Sequence, residues 1–201
     1  MPPSPFRVKP ELRGRRVLLR PFTAADVEAM GPVLADPEVL RLTGSTHSSA
    51  LRPPPVLDGP TREWYETRAD QDDRLDLAVV DLATDRCVGE VVLNQWDPGN
   101  RCCNFRTLLG PEGRDRGLGS EALRLLLGYA FTALDLHRVE LGVYAFNPRA
   151  QHVYERAGFV VEGRRRDALL LDGVWVDEIL MAVIGDDWLA QPSAGTSPSA
   201  R

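Results

Sequence analysis

Residues 120–135, SEALRLLLGYAFTALD, place Leu123, Leu126, Leu127, Ala130, Phe131 and Leu134 at i, i+3, i+4, i+7, i+8 and i+11. That spacing gathers apolar side chains on one face of an α-helix. A helix with one apolar stripe needs a second layer to bury it against, and the flanking segments supply one. Upstream, LDLAVVD (75–81), CVGEVVLNQW (87–96) and CNFRTLLG (103–110) read as strands separated by charged and turn residues, in the manner of an antiparallel meander. Downstream, HRVELGVYAF (137–146) alternates like a strand. Two β-rich runs within 159–184 then meet at Asp172-Gly173, a favoured tight-turn pair.

The remaining signals fill in the order β-α-α-β-β-β-α-β-α-β-β. RVLLR (16–20) is a short strand ended by Pro21, and Thr23 and Asp26 mark a helix start whose stripe is Val27, Met30, Val33 and Leu34. Residues 44–60 are broken by glycine and proline and read as loop, followed by a short helix over TREWYETRA. Asn147-Pro148 opens a further helix with Asn as cap and Pro in its first turn, and Gly158 stops it. A mixed α and β order with an antiparallel middle is not a doubly wound nucleotide fold. One domain is expected over 12–189, with a flexible segment at 1–11 and a small, polar, disordered tail at 190–201.

Composition narrows the function classes. The net charge is −5 and the arginines are dispersed, so the chain has no electrostatic footprint for nucleic acid. The run Arg164-Arg165-Arg166 reads as a solvated strand face. No segment approaches the run of roughly 18 apolar residues that spans a membrane, and residues 1–16 lack the apolar core of a signal peptide. Three cysteines, Cys87, Cys102 and Cys103, are an odd number without metal-ligand spacing. Reduced thiols in a cytoplasmic protein are therefore expected, with no metal.

Between the last strand of the meander and the helix lies GRDRGLGSEA (113–122). A helix start leaves its first N–H groups unpaired and carries a partial positive charge, so it attracts phosphate. Glycines let the preceding loop turn several amides toward one anion. Ser120 adds a hydroxyl, and Arg114 and Arg116 add charge. No lysine follows the glycines as a P-loop demands, and Ala122 with antiparallel strands upstream fails the dinucleotide fingerprint. On the glycines alone, a plain strand-to-helix turn remains equally open.

Arg114-x-x-Gly117-x-Gly119 resembles the R/Q-x-x-G-x-G/A signature of the GNAT superfamily of N-acetyltransferases. Residues 147–159, NPRAQHVYERAGF, are similar to that family's second signature. The opening VLLRPF and the closing DGVWVDE resemble the branch containing the RimJ/RimL-type enzymes. The resemblance implies an α+β fold: a mixed, mostly antiparallel sheet of about seven strands, splayed in the middle and flanked by about four helices. It implies an acetyl-coenzyme A-dependent N-acetyltransferase acting on a primary amine, either a protein N-terminus or a small molecule, in which the amine attacks the thioester directly. A different acyl thioester such as succinyl-coenzyme A, or a non-catalytic module binding coenzyme A or a peptide, are the alternatives. A homodimer is compatible with the family.

The same resemblance assigns residues. The backbone of Arg114, Asp115, Arg116, Gly117, Leu118, Gly119 and Ser120 would hold the pyrophosphate, the strand at Thr107, Leu108 and Leu109 the pantetheine arm, and Asn147 would touch the cofactor besides capping its helix. Tyr154 matches the family's proton donor, and an ordinary phenol, near 10, is protonated at neutral pH; plain packing is its other reading. Many family members place a glutamate on the strand before the glycine loop, where this chain has Cys102-Cys103-Asn104. Glu90 and Asp97 are the nearest substitutes as a base, although a glutamate on such a strand is more often solvated. Since an α-amine titrates well below a lysine, the missing acid tilts toward a low-pKa amine or a water-relayed base. His47, Trp64 and Tyr65 lie near where an acceptor pocket would open, each with an incidental or packing role as its other reading, and Asp177 is taken as structural.

Overall fold

The chain begins its sheet almost at once. In the computed structural model, which describes residues 4–191, β1 (Leu12–Arg13) pairs with β2 (Val17–Arg20), and β2 with β3 (Leu75–Asp81). Then come β4 (Arg86–Asp97) and β5 (Cys102–Leu109), the meander expected from the sequence. After α4 (Leu118–Thr132) the chain returns as β6 (Arg138–Tyr144), and after α5 (Pro148–Arg156) it closes with the hairpin β7 (Val160–Leu171) and β8 (Val174–Ile184). The hairpin turn falls at Asp172 and Gly173, both in left-handed backbone (φ 50° and 79°), as a two-residue primed turn requires. Strand order is β1-β2-β3-β4-β5-β6-β8-β7, antiparallel throughout except for β5 and β6.

The sheet has eight strands rather than about seven, because Leu12–Arg13 forms a two-residue strand too short for any periodicity. Among the described residues, six α-helices replace about four. The additions are α2 (Pro37–Leu42), immediately after α1 (Ala24–Ala35), and α6 (Gly185–Leu189). Between them in the chain lies α3 (Gly59–Glu66), capped by Asp58. The start of α1 is a full capping box: Thr23 accepts from the Asp26 amide and Asp26 accepts from the Thr23 amide.

Two apolar layers sandwich the sheet. One face carries α4 and α5 over a core that includes Leu77, Val91, Leu93, Phe105, Leu126, Leu127 and Met181. The other carries α1 and the residues around it over Ala78, Val80, Val27, Met30 and Tyr65. Phe6 is fully buried in the first core and anchors the described residues that precede β1. Residues 192–201, where a disordered tail was expected, lie outside the described residues. No helix among the described residues is long and apolar enough to cross a membrane.

The two central strands separate. β5 and β6 pair only from Cys102↔Arg138 to Asn104↔Glu140. Beyond that rung β5 stays with β4 through Leu109↔Gly89, and β6 stays with β8 through Tyr144↔Glu178. A bulge in β4, where the β3 register slips between Val79 and Val80, sits opposite the diverging end. Gly89 makes it possible, since a side chain there would collide with the Leu108 carbonyl oxygen. A bulge bends its strand, and β5 follows β4 away from β6.

Leu126 is fully buried at the centre of the α4 stripe. Leu126→Ala is expected to lower the unfolding free energy by about 2–5 kcal/mol in urea titration followed by circular dichroism.

Candidate active site

The separated strands enclose a cleft of about 690 Å³ lined from both faces of the sheet. Alternation along β5 divides its wall. Cys103 and Phe105 belong to the core under α4, while Leu108 packs with the α1 layer, which puts Asn104 and Arg106 on that second side as well.

On the α4 side the wall is mostly backbone. A 3₁₀ turn at Pro111–Gly113 leads to Asp115 and Gly117, both left-handed (φ 59° and 76°), and Gly117 is the N-cap of α4 without any side-chain cap. The amides of residues 115–120 meet no acceptor among the described residues; the first bond back into the turn is Glu121 N–H to the Gly117 carbonyl, at 3.1 Å. This leaves a row of open N–H groups at the positive end of a 15-residue helix.

Gly113, Arg114, Asp115, Gly117, Gly119 and Ser120 line the cleft together with Thr107, Leu108 and Leu109. Two of the expected side chains point elsewhere. Leu118 is buried in the core, and Arg116 turns to Asp81, 2.7 Å away, on the far side of the loop. Their amides remain in the row. Arg114 is occupied too: its guanidinium pairs with Asp36 and Glu38 and donates to the Leu109 carbonyl at 2.9 Å. Its charge pins α2 to the end of β5.

α5 supplies the opposite wall. Asn147 accepts from the Ala150 amide at 3.1 Å, as a cap should, and also lines the cleft. Tyr154 lies against Phe105 and Phe159, with ring centroids 6.2 Å and 5.8 Å away. Burial pushes its phenol up to about 12, so it is a protonated donor across the neutral range. Burial also raises all three thiols, Cys87 to about 12, and none is disulfide-bonded.

On the α1 side, Glu90 corrects the expectation of a solvated carboxylate. It is 5% exposed, lines the cleft, and is ion-paired with Arg68, itself 7% exposed. Arg68 also reaches Asp76 at 3.2 Å and lies over the Tyr65 ring at 3.9 Å. Its Nε has no partner among the described residues. Burial and then the Glu90 charge raise the Tyr65 phenol. Asp97 instead closes the β4–β5 turn, accepting from the amides of Gly99 and Asn100.

His47 docks its loop on the hairpin, its ring 2.8 Å from the Leu170 carbonyl, and does not line the cleft. Trp64 and Tyr65 stack around Arg68 and do not line it either. Asp177 accepts from Arg164 and from the Asp167 amide, a structural role. The arginine run is exposed, with Arg164 and Arg165 paired to Asp177 and Glu178.

Sequence reasoning missed the wall made by α2. Glu38, Val39, Arg41, Leu42 and Thr43 line the cleft, with Arg41 over the Phe146 ring at 4.9 Å and Gly44 against Tyr144. The signal available was Asp36-Pro37, an N-cap followed by proline. Arg68 was missed because nothing local marks an arginine that reaches a glutamate 22 residues away.

A family model described as an acetyltransferase (GNAT) domain matches residues 16–160. The chain is 34% identical over 124 residues to the probable N-acetyltransferase YjcK of Bacillus subtilis, covering 61% of this chain and 68% of that protein. It is 30% identical over 137 residues to the spermidine N(1)-acetyltransferase of Escherichia coli, covering 64% and 74%. Among solved structures, spermidine N-acetyltransferase from Vibrio cholerae in complex with coenzyme A and spermine superposes with a TM-score of 0.75 at 23% identity, over 88% of this chain and 99% of that one.

Removing Arg68 strands the buried Glu90 without a cation, while Asp76 keeps Arg74. Arg68→Met is expected to cost about 3–5 kcal/mol of stability in chemical denaturation, and a cost under about 1 kcal/mol would contradict the ion-pair reading.

Proposed function

Since the chain belongs to the GNAT acetyltransferase family, we propose that it moves an acetyl group from acetyl-coenzyme A to a primary amine by direct attack on the thioester. The observation that carries this is the row of open amides at residues 115–120, placed where β5 leaves β6. A diphosphate matches such a row, because each N–H gains an acceptor and the helix end favours the charge. The diverging end of β5, Thr107 to Leu109, runs along one side of the cleft and Asn147 lies on the other, a slot suited to an extended amide-bearing arm.

Acetyl-coenzyme A supplies an activated carbonyl, and the residues of the chain do the rest. An amide of β5 would stabilise the oxyanion formed when the amine attacks. As the carbon–sulfur bond breaks, Tyr154 gives its proton to the departing thiolate, the proton lost by the amine leaves through water, and water returns a proton to the phenolate. Glu90 lines the same cleft but is held by Arg68, which favours a water-relayed route over direct abstraction. The raised thiols disfavour an acyl-enzyme, because the thiolate is the nucleophilic form.

Tyr154→Phe is expected to lower kcat by about 10²-fold in a thiol-release assay while preserving binding of coenzyme A in calorimetry. The phenol is raised, so it holds its proton to higher pH than a free tyrosine. The alkaline loss of kcat from its ionisation is therefore expected only above about pH 11. Gly117→Val forces a branched side chain into left-handed backbone and is expected to weaken coenzyme A binding at least about tenfold; unchanged affinity would remove the amide-row reading.

A further inference from the structure

On the α1 side of the cleft, every lining carboxylate already has a cation. Glu38 is paired with Arg114, Glu90 with Arg68 and Glu178 with Arg165. Two lining cations are left over. Arg41 rests its guanidinium on Phe146, and Arg106 projects from the diverging part of β5; neither meets a carboxylate at ion-pair distance among the described residues. Asn104, on the same face of β5 as Arg106, donates to Asn94 at 3.1 Å and adds no charge.

This is the reverse of what a polycation needs. A polyamine would bring several positive charges into a wall whose acids are neutralised and whose free charges are positive. An acceptor with a negative group near its amine would instead form charge-assisted hydrogen bonds to arginines that the fold leaves free. The stacking of Arg41 on Phe146 holds one of them in place before any acceptor arrives.

We infer that the acceptor is an amine bearing a carboxylate, bound through Arg41 and Arg106. This inference rests on the acetyltransferase reading and adds the chemical class of its acceptor. The carboxylate can belong to a free α-amino acid or to an acidic residue next to a peptide N-terminus. Both present the same pair of groups.

Two measurements keep the inference separate from its premise. The first is calorimetry on coenzyme A-loaded protein with alanine, alaninamide, the amidated peptide Ala-Asp-Ala and spermidine. Alanine or the peptide is expected to bind about tenfold or more tighter than alaninamide, since a charge-assisted hydrogen bond contributes about 1.5–3 kcal/mol. Which of the two binds tells the free acid from the peptide. Arg106→Gln and Arg41→Gln are each expected to shrink that preference by about tenfold, and Arg106→Lys to restore part of it. Equal binding of acid and amide, tighter binding of spermidine, or a preference unmoved in both glutamine variants overturns the inference.

The second measurement is thiol release from acetyl-coenzyme A with the same four amines. Release with none of them counts against the acetyltransferase reading, whatever the binding shows. Release with spermidine or alaninamide at higher kcat/KM than with either carboxylated amine counts against the inference alone.

Discussion

Three rungs of parallel pairing, from Cys102↔Arg138 to Asn104↔Glu140, are all that join the two halves of this sheet through β5 and β6. Everything proposed for the protein depends on their ending there. An unpaired strand edge inside a protein leaves backbone N–H and C=O groups that need partners. Here the edge opens into a cleft, so water or a ligand can satisfy it. The bulge at Gly89 bends β4, and β4 keeps β5 through Gly89↔Leu109, so the divergence is built into a register rather than left to a flexible loop. Helix α2 then braces the opening at both ends. Its N-terminal side is held to Arg114 just after β5, and Arg41 and Gly44 lie against Phe146 and Tyr144 at the end of β6.

The buried charges follow from that geometry. β4 must pass the cleft, and Glu90 lies where it passes, too shielded to be solvated as an isolated acid. Arg68 makes the burial tolerable, and Asp76 and Tyr65 in turn surround Arg68. A buried pair of this kind is a weak source of stability but a strong source of orientation. It fixes one carboxylate oxygen of Glu90 on the guanidinium. The same neutralisation recurs at Glu38 and Glu178, which is why Arg41 and Arg106 set the sign of the charge left in that half of the cleft.

Much of this was legible in the residues, for identifiable reasons. The α4 stripe, the Thr23–Asp26 box, the Asn147 cap and the Asp172-Gly173 turn each depend on neighbours within about four positions in sequence, and each stands where expected. The glycine loop was legible as a shape, but the direction of its side chains was not. Arg114 and Arg116 look like phosphate ligands in the sequence and are spent instead on Asp36, Glu38 and Asp81, partners 78, 76 and 35 positions away. Glu90 was legible as a candidate base, yet its burial depends on Arg68, which reaches it only through the folded packing of α3 and β3. α2 escaped because six residues are too few to display a helical period.

The two walls of the cleft are made of different material, and this bears on how such a site changes its acceptor. The wall toward α4 is mostly main chain: open amides at 115–120 and the edge of β5, which any sequence able to adopt the left-handed turns at Asp115 and Gly117 presents alike. The wall toward α1 is mostly side chain: Arg41, Arg106, Glu90, Tyr144 and Glu178, on α2, β5, β4, β6 and β8. Substitutions there alter charge and shape without moving the backbone that forms the first wall. A donor held by amides can therefore stay the same while the acceptor side changes sign. The arginine pair left unneutralised in this chain fits the proposed acceptor, since it sets the charge an incoming amine would meet without touching the helix end proposed for the diphosphate.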